Sequence, residues 1–123
     1  MSIFIMNPKD LQDRLKKFAL RLVPLCESLP NKKISRIIED QLLRSGFSAA
    51  ANYRSACNAQ SKKSFNSKLS IALEEIDEAS FWLEIVGTLE LIKKEKLLLV
   101  SGEAIELTKI LGASRRTATK IEN

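Results

Sequence analysis

The chain has 123 residues, with 20 Lys and Arg against 15 Asp and Glu, a net charge of +5 and no histidine. At this length one domain with one hydrophobic core is the default. The missing histidine excludes Ser-His-Asp and Cys-His catalysis and histidine-ligated metal sites, and four Gly and three Pro are too few for a turn-rich all-β chain.

The first periodic segment spans about 7–28. Leu11, Leu15, Phe18, Leu22 and Leu25 are spaced 4, 3, 4, 3, the stripe of an amphipathic helix. Asn7 before Pro8 suits an N-cap followed by proline at the first helical position. Pro24 lies inside the pattern, so a kink or an early end is expected there. The apolar opening at 2–6 is five residues long and lacks a basic region before it, so it does not read as a signal peptide.

The second segment spans about 32–59, with Ile34, Ile37 or Ile38, Leu42, Ser45, Ala49, Asn52 and Ala56 on its stripe. Midway the stripe turns from large aliphatic to small residues around Gly46. A helix-interior glycine costs about 1 kcal/mol relative to alanine, so close approach of another helix is the expected compensation. The third segment, about 61–89, opens on Ser61 as N-cap. Its stripe is Phe65, Leu69, Ala72, Ile76, Ala79, Leu83 and Val86, and Phe81, Trp82, Ile85 and Leu89 widen it, which implies a second apolar neighbour inside the bundle or in another subunit. The fourth, about 95–119, carries Leu97, Val100, Ala104, Leu107, Leu111 and Ser114. Short links between long helices make sequential neighbours antiparallel. The expected fold is all-α, an up-down-up-down four-helix bundle in a single domain, 1–123.

No stretch approaches the ~18 consecutive apolar residues of a membrane span. Cys26 and Cys57 sit in helical runs and are expected as buried thiols, with no disulfide, metal or cofactor, in a cytoplasmic protein. The bundle topology would bring the N-terminus, the turn between the second and third helices, and the C-terminus to one end, here termed basal. Eleven basic residues fall there: Lys9, Arg14, Lys16, Lys17, Arg54, Lys62, Lys63, Lys68, Arg115, Arg116 and Lys120. Against the three acids Asp10, Asp13 and Glu122 the local balance is +8, leaving nine basic and twelve acidic residues, or −3, elsewhere. Arg54, Lys62, Lys63, Lys68, Arg115, Arg116 and Lys120 are the candidate contacts to phosphates of RNA or DNA, where released counterions would supply the driving force. A solvated basic face without a partner is the competing expectation.

The carboxylates Glu74, Glu75, Asp77 and Glu78 lack the histidines of a di-metal bundle site. Facing positions in the second and third helices sum to about 121, which places Arg44 opposite Asp77 with Glu74 and Glu78 a turn to either side. An ion pair from Arg44 to this set is expected.

Gln41-Leu42-Leu43-Arg44-Ser45-Gly46, then Ala51-Asn52-Tyr53-Arg54-Ser55-Ala56-Cys57, continue through Ser61, Phe65, Lys68-Leu69-Ser70-Ile71-Ala72, Glu74-Glu75, Asp77-Glu78 and Trp82-Leu83-Glu84. This run resembles the bacterial four helix bundle protein family, which includes proteins encoded within intervening sequences of 23S ribosomal RNA genes and is similar to the accessory variability proteins of diversity-generating retroelements. The likeness spans about 11–120. It implies the antiparallel bundle, a homo-oligomer in the form of a pentameric ring, and no catalytic residue to carry over. Its retroelement relatives imply partnership with a reverse transcriptase and nucleic acid. The functional expectation is a non-enzymatic oligomeric bundle that engages RNA or DNA through its basic end. The alternative is a structural or protein–protein interaction module.

Overall fold

The computed structural model describes residues 6–122, with the side chains of residues 121 and 122 undescribed, so the apolar opening at 2–5 and the acid at Glu122 fall outside what can be placed. Four helices follow one another: α1 (Pro8–Glu27), α2 (Lys33–Cys57), α3 (Lys62–Thr88) and α4 (Lys94–Glu122). Asn7 caps α1, its Oδ1 accepting from the Asp10 amide at 2.8 Å, with Pro8 at the start of the helix. Ser61 caps α3, its Oγ accepting from the Ser64 amide at 3.0 Å. Each cap satisfies a backbone donor that the helix itself leaves unpaired.

α3 ends in a Schellman motif. The Leu91 amide donates to the Val86 carbonyl and the Glu90 amide to that of Gly87, with Glu90 itself at φ 52° in the left-handed region. This turns the chain into α4. Pro24 does not end α1, which runs on to Glu27. The carbonyl deprived of a partner by Pro24 is that of Leu20, and both residues are exposed, so the lost bond sits on the solvent side of the helix.

Helices α1 and α2, α2 and α3, and α3 and α4 pack side by side, and α1 closes on α4 as the loosest neighbour; among the described residues the diagonal pairs bring no Cα atoms within 8 Å of each other. The arrangement is a square of antiparallel helices. Its centre is filled by Leu15, Phe18 and Leu22 of α1, Ile38 and Leu42 of α2, Leu69, Ile76 and Leu83 of α3, and Leu107 and Leu111 of α4, all fully buried. Burying one such side chain contributes about 1.5–3 kcal/mol, so the stripes rather than intrinsic propensity hold the helices. Ile38, not Ile37, takes the core position on α2, and Ile37 is exposed. Cys26 is buried but Cys57 only half-buried, and both thiols are free. Burial, with Glu39 and Glu27 nearby, pushes the Cys26 thiol up to about 12, so it stays protonated near neutrality.

The glycine on α2 has a packing cause. A Cβ at Gly46 would run into Leu22 Cδ1 and stand 3.8 Å from Phe18 Cε2, both on α1. Gly102 on α4 has nothing within 4 Å of the same construction. The two glycines therefore respond oppositely to added atoms. Gly46→Val is expected to lower the unfolding free energy by about 1–3 kcal/mol through overpacking, and Gly102→Ala to raise it by about 0.5–1 kcal/mol through helix propensity. Urea unfolding followed by circular dichroism measures both; a destabilised Gly102→Ala would contradict the packing described.

Candidate nucleic-acid interface

The start of α1, the turn between α2 and α3, and the late part of α4 gather at one pole. A groove of about 810 Å³ there is lined by Met6 and Leu11 at the start of α1, Tyr53 near the end of α2, Phe65 in the first turns of α3, and Thr117 and Ala118 late in α4. A smaller hollow brings the turn residues Ala59, Gln60 and Ser61 against Ala118. Six of the seven candidate contacts, Arg54, Lys62, Lys63, Arg115, Arg116 and Lys120, are exposed, and Lys68 is half-buried. Among the described residues none of the seven makes an ion pair. Arg115 is steadied by donating from Nε to Ser70 Oγ at 2.8 Å, and the Arg116 guanidinium lies back beside Gly112.

Helix direction gives Lys62 and Lys63 a further meaning. They occupy the first turn of α3, which contains no acid. The N-terminus of a helix carries the positive end of its dipole, where carboxylates stabilise and cations do the reverse, each by typically about 0.3–1 kcal/mol. The Lys pair is thus placed against the stability of its own helix.

Arg14 does not belong to the open cationic set. Its Nε donates to Glu103 Oε2 and its Nη2 to Glu103 Oε1, both at 2.8 Å, and Nη2 also reaches Glu106 Oε1 at 3.0 Å. This two-pronged bridge spans α1 and α4, the loosest seam. Hydrogen bonding to Glu103, with burial opposing it, raises the Arg14 pKa, and the Arg14 guanidinium in turn holds the Glu103 carboxyl below the usual carboxylate range. Lys9 pairs with Asp13 at 3.0 Å on the same helix. Of the eleven basal cations, nine stay unpaired among the described residues.

The turns that join α1 to α2 and α3 to α4 share the opposite, apical end, where a hollow of about 450 Å³ is lined by Ser28, Glu90, Leu91, Ile92, Lys93 and Lys96. Lys32, Lys33 and Arg36 at the start of α2 and Lys93, Lys94 and Lys96 around the start of α4 are exposed there, together with the acids Glu27, Glu90 and Glu95. Glu39, Asp40 and Glu84 lie in the adjoining turns, so both signs mix at this end.

Arg44 bridges α2 to α3, but its partners are Glu75 and Glu78. Nη1 reaches Glu75 Oε2 at 2.9 Å and Nη2 contacts Glu78 Oε2, which also accepts from the Trp82 indole at 3.1 Å. The Arg44 guanidinium, helped by the indole, holds the Glu78 carboxyl below its ordinary value. Glu74 and Asp77 are exposed and make no ion pair among the described residues, so the expected set Glu74, Asp77 and Glu78 was right only in its last member. At 100° per residue, Asp77 points 200° away from Glu75 and so away from α2. With 46% of the Arg44 side chain exposed, this bridge contributes about 0–1 kcal/mol and cannot be a main source of stability. No group of three metal-ligating side chains exists among the described residues. Among the described residues no helix is long and apolar enough to cross a membrane.

Residues 10–113 match the family described as 23S rRNA-intervening sequence protein. A solved structure of a protein of unknown function from the S23 ribosomal protein family of Bacteroides thetaiotaomicron is similar, with 36% identity, a TM-score of 0.78, and coverage of 85% of this chain and 97% of that one. No curated protein matches this chain.

The bridge at the α1–α4 seam sets the response to acid. Because the folded Glu103 carboxyl titrates below its unfolded value, its contribution is complete above the ordinary carboxylate range near pH ~4.3 and is lost as pH falls through the lowered value. Glu103→Gln is expected to narrow the stability difference between pH 7 and pH 3, measured by urea unfolding at both. Arg14→Ala should cost about 1–2 kcal/mol at pH 7, the lower part of the range for charged hydrogen bonds, because a quarter of the Arg14 side chain remains in water.

Proposed function

The chain belongs to the 23S rRNA-intervening sequence protein family, and we propose that it is a non-enzymatic, oligomeric bundle that holds RNA or DNA by phosphate contacts at its basal end. The observation that carries this reading is the unpaired Lys62-Lys63 start of α3, set against its own helix dipole, on the end of the bundle that also holds the exposed Arg54, Arg115, Arg116 and Lys120. Cations that lower stability and bind no carboxylate suit an anion from outside. The basal groove is bordered by aliphatic and aromatic side chains, by the hydroxyls of Tyr53, Ser114 and Thr117, and by Arg14, Glu106 and Lys109. Recognition by Lys and Arg alone reads the phosphate backbone and not base sequence. The template of a reverse transcriptase, the protein partner implied by the family likeness, would meet the same end.

Self-association belongs to the proposal. Ile37 on α2, Ile71 and Phe81 on α3, Leu89 just after it, and Leu98, Leu99 and Ile105 on α4 are large apolar side chains left exposed, Leu99 at 79%. Phe81 packs edge-to-face on Trp82 with ring centroids 5.1 Å apart, a preformed aromatic surface. Such surfaces suit contact with further copies, and a ring of copies would multiply weak phosphate contacts through multivalency.

Two outcomes are expected. Lys62→Glu with Lys63→Glu should weaken binding to unrelated RNA and DNA duplexes and flatten its dependence on salt by about 0.7–0.9 in log–log slope per lost phosphate contact, while raising thermal stability. Unchanged affinity and slope, measured by fluorescence anisotropy from low to physiological salt, would leave the cationic end without a nucleic-acid role. Phe81→Glu with Leu89→Glu should lower the particle mass seen by light scattering on a sizing column; a wild-type monomer at micromolar concentration would remove the oligomer.

A further inference from the structure

The four helices do not end level at the basal pole. α1 has 20 residues against 25, 27 and 29 in α2, α3 and α4. Arg14, by reaching Glu106, marks the height at which α1 and α4 face each other. From that height α1 extends back only to Pro8, while α4 runs on to Glu122. At about 1.5 Å per residue, α4 passes the first residue of α1 by some 15 Å. One corner of the square is therefore walled by three helices and not by the fourth. That corner is the groove of about 810 Å³, with Tyr53 of α2, Phe65 of α3 and Ile110, Ser114 and Ala118 of α4 around it.

The chain that leads into α1 arrives from this corner. Asn7 is extended, at φ −70° and ψ 158°, so the helix does not continue backwards through it. Pro8 enforces the break, because the residue before a proline is driven out of the helical region. Met6 lines the groove and packs on the core, and Leu11 lines it too. An apolar residue just before the N-cap and another at the fourth helical position form a staple that fixes the angle at which the chain enters. Here the staple holds the chain to the groove at its last step before the cap. The residues ahead of Met6 are Ser2-Ile3-Phe4-Ile5, uncharged and with three large apolar side chains in succession. Five extended residues reach about 17 Å, the depth of the corner.

We infer that residues 2–5 dock in the basal groove of their own chain and fill the place that α1 leaves beside α2, α3 and α4. The same chain is the occupant because Met6 is already seated: a directly tethered segment acts at an effective concentration of about millimolar, which a segment from a second copy in dilute solution does not match. The strap packs against the last turns of α4, which carry Arg115, Arg116 and Lys120, and so holds the basal cations in place. It does so whether or not those cations bind phosphate.

The test replaces Phe4 by p-benzoylphenylalanine, a ring for a ring, in the full chain. Ordinary and 15N-labelled chains are unfolded, mixed, refolded together and irradiated, and the linked peptides are identified by mass. The expected product joins position 4 to Phe65 or to residues 110–118 within a single isotopic chain. Groove products that pair ordinary with labelled chain would overturn docking within one chain and assign the groove to a second copy. Products outside the groove, or none, would overturn the docking itself. A second measurement needs no probe. Ile3→Ser with Phe4→Ser should speed amide hydrogen exchange across 113–120 by about tenfold and leave 69–86, in the core of α3, unchanged. Exchange across 113–120 equal to that of wild type would overturn the strap.

Discussion

Arg14 holds the first helix to the last. In an antiparallel four-helix square, three seams join helices that are consecutive in sequence and are tethered by short turns. The fourth, between α1 and α4, has no such tether and is the loosest. It closes through the buried Leu11 and Leu15 on one side and Leu107 and Leu111 on the other, and through the fork from Arg14 to Glu103 and Glu106. Apolar contact supplies most of the energy but is indifferent to sliding. A bidentate guanidinium–carboxylate pair is directional, so it fixes the height of α1 against α4. The position of Met6 against Thr117 and Ala118, and hence the shape of the basal end, depends on that register.

Chain direction then decides where the charge goes. Lys-Lys pairs written at the starts of α2, α3 and α4 would form one patch in a parallel bundle. Alternating direction sends the α3 pair to the basal pole and the α2 and α4 pairs to the apical one. Each pair loses some helix stability to the dipole, a loss of tenths of a kcal/mol that a core of ten fully buried large side chains absorbs easily. The fold is thus strong enough to carry charges in positions that oppose it; among the described residues Lys62 and Lys63 stay unpaired, while Arg14 and Arg44 take Glu75, Glu78, Glu103 and Glu106.

Helix stripes were legible because the 3.6-residue period leaves a direct mark. Every stripe residue on α1 proved buried, and so did every one on α3 after Phe65. The height of cross-helix pairs was legible too: Arg44 with Glu75 and Glu78 brackets the facing sum of about 121. Azimuth was not. Asp77 has the right height and the wrong side, because a sum of positions carries no information on helix rotation. The same summation applied to the first and last helices would have pointed from Arg14 toward Glu103 and Glu106; without it, Arg14 looked like one more surface cation. Lys32, Lys33, Lys93 and Lys94 form no comparable patch, because Glu27, Glu90 and Glu95 share their end of the bundle.

Family likeness and bare chemistry contribute different things here. The match over 10–113 and the 36% identical bundle from Bacteroides thetaiotaomicron establish the fold, and that relative is itself of unknown function. The residues of this chain add a conflict between dipole and charge. A helix start that serves only folding gains from Asp or Glu in its first turn, as α1 does with Asp10. α2 and α3 have no acid there, and α4 follows Lys94 with Glu95 and Lys96. Solubility alone would be met by cations anywhere on the surface, including helix C-termini where they also stabilise. Lys62 and Lys63 at the acid-free start of α3, on the end of the bundle where cations outnumber acids, are the physical reason to look for polyanions at that end rather than along the sides.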